Sequence, residues 1–216
     1  MSELILALDV TTRKDAHRIA EATAPFLDAI KIGYPLVLSE GLSVAEELSD
    51  YGLPLIADFK VADIPNTTRL IAEEVFSKGF SAIICHGFVG ADSVSSCAEV
   101  AHDNHGQCYV VCEMSHPGAT EFFHGGVAER LAGLVCETGA DGIIAPATRP
   151  ERVAVLRSLI GDRKILSPGV GAQGGDPAAI TALVDGIIVG RAIYDAPDSA
   201  AVARSYRETI SNTPYR

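Results

Sequence analysis

Short apolar runs alternate with longer segments in which apolar residues recur every three or four positions, along the whole chain. The apolar runs lack polar alternation, which indicates strands buried on both faces, as in a parallel sheet. The longer segments have helical periodicity, and Ile71, Ala72, Val75 and Phe76 form the stripe of a helix that lies on a sheet. The predicted strands are residues 4–8, 29–31, 55–58, 80–85, 108–112, 142–145, 164–166 and 186–189. The predicted helices are residues 14–24, 43–51, 66–78, 91–102, 127–138, 151–160 and 177–183.

These elements predict an α/β fold of eight strand–helix units. The strand ends recur every roughly 22 to 32 residues, a spacing typical of parallel strands joined by helical crossovers. Gly79, Gly139 and Gly161 stand where helices are expected to end. Eight such units favour a (β/α)8 barrel over a doubly wound open sheet, which usually has fewer strands. No linker or shift in composition separates a second unit, so we expect one domain over residues 1–216.

Composition and charge argue against several classes of function. The 216 residues are 48% hydrophobic and 21% charged, which is typical of a well-filled core. No apolar run reaches the roughly 18 to 20 residues of a membrane span. The first residues lack the basic region of a signal peptide, so we expect a cytoplasmic protein. The net charge of −11 argues against nucleic-acid partners and acidic membranes, and an anionic substrate would need a local basic site.

The charged residues that are candidates for catalysis lie where predicted strands end. Asp9, Lys31 and Asp58 end the first three strands, and Lys60 follows two residues later in the motif D-x-K-x-x-D, which closes at Asp63. In a barrel these ends open onto the face that carries the active site, so the four charges before Asp63 should meet. A surface ion-pair cluster is the alternative, but buried ion networks stabilise folds poorly, and the repeated pattern favours function.

A second feature is the glycine-rich stretch from Pro168 to Gly175 after the seventh strand, followed by Gly190 and Arg191 after the eighth. Backbone amides of glycines can approach an anion closely, and an arginine adds a fork of donors. Phosphate sites of such barrels lie after strands seven and eight. The alternative for this stretch is a flexible connection, but its position and the paired arginine predict binding of a phosphorylated small molecule.

A third feature is the polar segment 115–126 after the fifth strand, long enough for a lid, in which Ser115 offers both a donor and an acceptor. An ordinary loop serine is the alternative on this evidence alone. His86, Glu113, His116 and His124 match no metal-binding spacing, so we expect no metal site. The five cysteines form no C-x-x-C pair, which favours reduced thiols in the core.

The stretch from Asp58 to Thr67, DFKVADIPNT, resembles the signature of the orotidine 5′-phosphate decarboxylase family, in its short microbial form. The resemblance covers nearly the whole chain, because Asp9, Lys31, Ser115 and residues 168–173 and 190–191 fall in the family's order and spacing. It implies decarboxylation of orotidine 5′-monophosphate to uridine 5′-monophosphate and carbon dioxide in pyrimidine biosynthesis, without metal or cofactor.

The resemblance also implies a role for each site residue. Asp58 would face the substrate carboxylate, and Lys60 would protonate C6 as carbon dioxide leaves. It further implies a homodimer in which Asp63 and Thr67 serve the partner's site. The implied catalytic residues are Lys31, Asp58, Lys60 and Asp63. The implied substrate contacts are Asp9, Lys31 and Thr67 at the ribose, Ser115 at the pyrimidine, Gln173 and Arg191 at the phosphate, with Asp63, Ile64, Pro168 and Gly190 also at the substrate.

Two other functions stay open at this stage. Related barrels that act on sugar phosphates, either as decarboxylases or as aldolases, also carry D-x-K-x-x-D, but they need magnesium, so activity in EDTA would separate them. Ser115 and Gln173 favour a nucleotide. A catalytically silent nucleotide-binding scaffold is the other possibility, and the intact Lys60 and both aspartates argue against it.

Overall fold

In the computed structural model, which describes residues 2–213, eight parallel strands form a closed barrel, and the last strand pairs with the first. The predicted α/β barrel is therefore confirmed. Met1 and residues 214–216, which the expected domain 1–216 includes, lie outside the described residues. The strands are β1 (Glu3–Leu8), β2 (Ala29–Gly33), β3 (Leu55–Val61), β4 (Ala82–His86), β5 (Gln107–Val111), β6 (Gly142–Ile144), β7 (Lys164–Pro168) and β8 (Gly186–Val189).

Helices surround the barrel and follow the predicted segments closely, but four of them were not predicted. Three of these four are short, at Tyr34–Glu40, Thr120–Phe123 and Arg191–Tyr194, and the fourth is the C-terminal helix Ser199–Asn212, whose N-terminus is capped by Asp198. None of the helices in the described part of the chain is both long and apolar enough to cross a bilayer. The helices are α1 (Arg13–Thr23), α2 (Tyr34–Glu40), α3 (Val44–Leu48), α4 (Pro65–Ser77), α5 (Ala91–Asp103), α6 (Thr120–Phe123), α7 (Val127–Thr138), α8 (Pro150–Ile160), α9 (Pro177–Thr181), α10 (Arg191–Tyr194) and α11 (Ser199–Asn212).

Alternating strand residues divide the core into two layers. Leu4, Leu6 and Leu8 pack with the surrounding helices, whereas Ile5 and Ala7 belong to a separate cluster that fills the barrel. Because side chains alternate along a strand, the residue two positions after the last interior residue also faces inward, at the mouth. The interior cluster consists of Ile5, Ala7, Ala29, Ile56, Ala82, Ile84, Tyr109, Val111, Ile144, Leu166 and Ile188.

Strand β3 departs from regular geometry just where the charged motif lies. Its register with β4 shifts between Ala57 and Val61, and Lys60 has a positive φ of 44°. An L-residue with a side chain rarely adopts this conformation, which is typical of a bulge. The expectation that this strand ends at Asp58 was wrong, because Val61 still pairs with Cys85 of β4 and continues the strand past Lys60.

Candidate active site

A cavity of about 310 Å³ opens at the carboxyl ends of the strands. Its lower wall consists of interior residues such as Ala7, Ile84 and Ile188, and its rim carries polar side chains from several strand ends. Nine of the residues predicted for the site line this cavity: Asp9, Lys31, Asp58, Lys60, Ser115, Pro168, Gln173, Gly190 and Arg191. The structure therefore brings together residues that lie as far apart in the sequence as β1 and the start of α10.

Four charged side chains, Asp9, Lys31, Asp58 and Lys60, form a cluster on one side of the cavity. Asp58 is central, because Lys31 donates a short hydrogen bond to its Oδ2 and Lys60 donates one of 2.7 Å to its Oδ1. Lys31 Nζ also lies 3.9 Å from Asp9 Oδ1. The strand order explains the arrangement, since β1, β2 and β3 are neighbours and each contributes an inward residue in or just after its carboxyl-terminal half.

Two members of the four-charge cluster, Lys31 and Asp58, are buried enough for their charges to control each other, whereas the side chains of Asp9 and Lys60 are each 35% exposed. Lys31 is only 4% exposed. Burial by itself would raise the pKa of Asp58, but the positive charges of Lys31 and Lys60, which both donate hydrogen bonds to it, outweigh burial and hold that pKa below its ordinary value. Asp58 is therefore ionised at neutral pH. With Arg191 at the rim, the charged side chains of the cavity carry an excess of positive charge, in a protein whose net charge is −11.

His86, at the end of β4, lies next to this cluster and was not predicted as part of the site. Burial lowers its pKa to about 4, with a further contribution from the charge of Lys60. Its ring packs against Phe88, with ring centres 4.4 Å apart. Among the described residues, its Nδ1 atom is buried without a hydrogen-bond partner. The imidazole is thus neutral at pH 7 and adds no charge beside Lys60.

The glycine-rich stretch after β7 folds back on itself. The amides of Gly171, Gly174 and Gly175 all donate to carbonyls within the same stretch, at 2.8–3.0 Å. These three amides are therefore engaged, whereas Gln173 and Arg191, whose side chains carry hydrogen-bond donors, line the cavity. Gly169 has a φ of 99°, and a Cβ there would lie 3.1 Å from Thr148 Cγ2 and 3.2 Å from Ser115 Cβ, so the backbone needs glycine at this point.

Asp63, Ile64 and Thr67 do not line the cavity of their own chain. They lie where β3 turns into α4, and Asp63 Oδ1 accepts a 2.8 Å hydrogen bond from the Ile64 amide. The Ile64 side chain is 65% exposed although it is apolar. The predicted site residues thus divide into nine that meet in one cavity and three that do not line it.

Comparisons with known proteins agree with this geometry. The model of the family described as "Orotidine 5′-phosphate decarboxylase / HUMPS family" matches residues 2–206. The chain belongs to this family. An orotidine 5′-phosphate decarboxylase of Methanococcoides burtonii is 56% identical over 205 residues, 94% of each chain. One of Thermococcus kodakarensis is 51% identical over 213 residues, 97% of each chain.

Solved structures of orotidine 5′-phosphate decarboxylases share the same fold. The enzyme of Methanocaldococcus jannaschii, crystallised with the inhibitor BMP, superposes with a TM-score of 0.94 at 41% identity, covering 98% of this chain and all of that one. The Pyrococcus horikoshii enzyme gives a TM-score of 0.89 at 42% identity, covering 97% and 99%. The expected family is confirmed, and it extends over nearly the whole chain.

The sequence did not predict every residue that lines the cavity. Met114 and Tyr194 line it but stand in no recognisable motif, whereas His116, which also lines it, belongs to the polar segment 115–126 that was predicted as a lid. Glu113 and His124, which were considered as metal ligands, do lie together, with Oε1 and Nε2 3.4 Å apart. Each carboxylate oxygen of Glu113, however, accepts a hydrogen bond from an arginine, and the two guanidinium charges beside it disfavour a metal cation.

The described residues contain one group of three side chains close enough to share a metal ion, Cys85, Cys97 and Cys108. Their sulfur atoms lie within 4.8 Å of one another in the core between β4, β5 and α5, away from the cavity. All three are almost completely buried. The thiols of all five cysteines are free.

Proposed function

We propose that this chain decarboxylates orotidine 5′-monophosphate to uridine 5′-monophosphate and carbon dioxide, with Asp58 facing the departing carboxylate and Lys60 as the proton donor. Family membership and close relatives of that name support the reaction and its place in pyrimidine biosynthesis. The observation that carries the proposed roles is the arrangement of Lys31 and Lys60 on the two oxygens of one buried aspartate, at the mouth of a cavity with Arg191 on its rim.

The chemistry follows from this arrangement. When the bond between C6 and the carboxylate breaks, the electron pair stays on C6 and carbon dioxide leaves. The Lys60 ammonium stabilises the developing negative charge and then transfers a proton from Nζ to C6, and solvent reprotonates the amine. Because the charge on C6 grows during the step, the lysine interacts more strongly with the transition state than with the substrate, which is the condition for catalysis.

Asp58 supplies a second contribution of smaller weight. A substrate carboxylate about 4 Å from Asp58 would experience a repulsion of roughly 4 kcal/mol at an effective dielectric constant near 20. This repulsion disappears as neutral carbon dioxide departs. The low pKa of Asp58 keeps the carboxylate charged, so the repulsion is present at neutral pH. Lys31 and Lys60 hold Asp58 in place against it.

The remaining cavity residues have the chemistry that the rest of the substrate requires. Arg191 and Gln173 would bind the phosphate, Asp9 and Lys31 the ribose hydroxyls, and Ser115 the pyrimidine, with Pro168 and Gly190 shaping the cavity. Phosphate binding far from C6 can supply free energy for closing the site and expelling water. We propose that no metal or cofactor takes part.

The direct test is the change in pyrimidine ultraviolet absorbance when the protein is mixed with orotidine 5′-monophosphate in the presence of EDTA. We expect turnover by the wild type and a loss of several orders of magnitude in Lys60→Ala. Lys78→Ala is the matched control, because Lys78 also pairs with a carboxylate, Glu46 at 3.2 Å, but on the outer surface. Undiminished turnover in Lys60→Ala, or activity only with added magnesium, would contradict the proposal.

We further propose that the chain acts as a homodimer in which Asp63, Ile64 and Thr67 reach the partner's cavity. These residues do not line their own cavity, and large apolar side chains are exposed among and beside them: Ile64 at 65% and Leu70 at 57%. An exposed apolar surface of this kind is typical of a protein interface. The proposal gives Asp63 a place beside the four-charge cluster of the other subunit.

Mixing two inactive variants tests the shared site. A hybrid of Lys60→Ala and Asp63→Ala subunits has one cavity with both residues intact, so random exchange should restore about a quarter of the wild-type sites. A mixture of Lys60→Ala with Asp58→Ala is the control and should stay inactive, because both residues line the same chain's cavity. If Asp63 acts within its own chain, the first mixture will also stay inactive.

A further inference from the structure

Glu113 is a completely buried carboxylate that the proposed mechanism does not use. It follows β5 directly and is 0% exposed. Its Oε1 accepts a 2.8 Å hydrogen bond from Arg149 Nε, and its Oε2 accepts a 3.0 Å hydrogen bond from Arg152 Nε. A buried carboxylate is costly unless it is paired and fully hydrogen-bonded, so Glu113 depends on both arginines.

The two arginines connect Glu113 to different parts of the molecule. Arg149 also donates a short hydrogen bond to the carbonyl of Met114, the residue before Ser115. Arg152, in the first turns of α8, also donates through Nη1 to Glu129 of α7 at 2.7 Å. Glu113 therefore ties the start of the segment 112–126, which we call the β5 loop, to the helices on either side.

Ser115 is held by the same part of the structure. Its carbonyl accepts a 3.2 Å hydrogen bond from the hydroxyl of Thr148, the neighbour of Arg149. Two successive carbonyls of the β5 loop, those of Met114 and Ser115, are thus bonded to two successive residues that precede α8. This arrangement fixes the backbone at Ser115, the point from which its side chain reaches the cavity.

The contact extends to the glycine-rich stretch of the cavity. The Cα of Gly169 approaches Ser115 and Thr148 so closely that an added Cβ would lie 3.2 Å and 3.1 Å from their side chains. The same Cβ position is 3.5 Å from Oε1 of Gln173. A displacement of Ser115 would therefore shift Gly169 in the cavity wall. Arg191, which lies at the start of α10 after β8, has no part in these contacts.

We propose that Glu113 is a positioning residue for recognition of the pyrimidine, acting through Arg149 and the β5 loop on Ser115. The inference rests on the proposed function, in which Ser115 binds the base. Stability alone does not account for this carboxylate, because apolar side chains of similar volume stabilise a core as well as a buried ion triad does. A positioning role accounts for both the complete burial of Glu113 and the bond that its partner Arg149 makes to the Met114 carbonyl, next to Ser115.

The test compares two ligands that differ by the base. Uridine 5′-monophosphate contains pyrimidine, ribose and phosphate, whereas ribose 5-phosphate lacks the pyrimidine. In calorimetric titrations, Glu113→Gln should weaken binding of the nucleotide by about 10- to 100-fold, the scale expected for a misplacement near 1 Å, and leave ribose 5-phosphate binding within about twofold. In a Ser115→Ala background, Glu113→Gln should have no further effect on the nucleotide.

Asp28→Asn is the matched control. At the opposite end of the barrel, Asp28 accepts a 2.7 Å hydrogen bond from the Leu4 amide and a short one from Arg207. The substitution therefore removes the charge from a similar hydrogen-bond network that lies away from the cavity. It should bind both ligands as the wild type does. Equal weakening of both ligands by Glu113→Gln, or unchanged nucleotide binding, would overturn the inference.

A second variant covers the case in which Glu113→Gln does not fold. Arg149→Lys keeps a positive charge beside Glu113 but loses the bond from Nη2 to the Met114 carbonyl, and the same selective loss of nucleotide affinity is expected. These are binding measurements, so they are independent of turnover. A wild type that does not decarboxylate orotidine 5′-monophosphate would refute the proposed function, while equal ligand effects in an active enzyme would refute only the role of Glu113.

Discussion

Replacing Gly33 by alanine should displace Asp9 without altering any charge. Gly33 ends β2, and a Cβ there would lie 2.5 Å from Asp9 Oδ1. The atoms must separate by about 0.9 Å to reach an ordinary contact of 3.4 Å. The backbone of Gly33, at φ −107° and ψ 179°, suits alanine, so the backbone can stay in place while the carboxylate moves.

The expected loss can be worked from this displacement. A shift near 1 Å in a group that orients the substrate costs about 100-fold in rate, or about 3 kcal/mol of transition-state stabilisation. We therefore expect kcat/KM for orotidine 5′-monophosphate to fall by about two orders of magnitude in Gly33→Ala. The fold should be retained, because the neighbouring strand contacts stay intact and Asp9 has only a 3.9 Å ion pair with Lys31 to lose.

Two controls separate displacement of Asp9 from a general effect of the methyl group. Gly133→Ala in α7 adds the same group where no atom lies within 4 Å, and it should keep full activity and gain about 1 kcal/mol of stability from helix propensity. In an Asp9→Ala background, Gly33→Ala should cause no further loss. Full activity of Gly33→Ala, or an undiminished effect after Asp9 is removed, would refute the reasoning.

Two further predictions concern protonation. The charges of Lys31 and Lys60 outweigh the effect of burial and lower the pKa of Asp58 in the folded protein. The ion pairs of Asp58 therefore stabilise the fold above its unfolded pKa of about 3.9, and this stabilisation is lost as the pH falls through the folded pKa. Urea unfolding should therefore show a penalty for Asp58→Asn at pH 7 that shrinks towards pH 3, and a constant penalty would contradict this. Burial and the charge of Lys60 lower the pKa of His86 from 6.5 to about 4, so only the unfolded chain takes up this proton between those values and stability declines there as pH falls. In NMR titrations the His86 ring signals should not change between pH 5 and 8, and a midpoint near 6.5 would contradict the result.

Much of the cavity could be predicted from the sequence, because the barrel converts a local pattern into a spatial one. Each strand alternates between the helix layer and the interior, so a charge that follows the last interior residue by two positions must face the mouth. Asp9 follows Ala7, and Lys31 follows Ala29, in this way. Closure of the barrel then brings these residues to one cavity, whatever their separation in the sequence.

The network of Glu113 could not be predicted in the same way. Its partners Arg149 and Arg152 stand 36 and 39 residues later, on a loop and a helix that carry no repeating relation to β5. A buried glutamate leaves no periodic signal, because a single charged residue after a strand looks the same whether it faces solvent or a pair of guanidinium groups. The environment of Glu113 depends on tertiary contacts alone, and the same holds for the neutral state of His86.

The position of Lys60 could be predicted only in part, because it depends both on the strand pattern and on tertiary structure. Its position two residues after Asp58 predicts that both side chains share a face, and they do meet at 2.7 Å, but not on a regular strand. The register shift in β3 and the positive φ of Lys60 produce the meeting instead. Such a backbone costs about 1–3 kcal/mol and persists only where the surroundings enforce it, here the pairing of Val61 with Cys85 and the ion pair with Asp58. The strained residue is therefore the proposed proton donor, and its ammonium meets Asp58 at the cavity that both residues line.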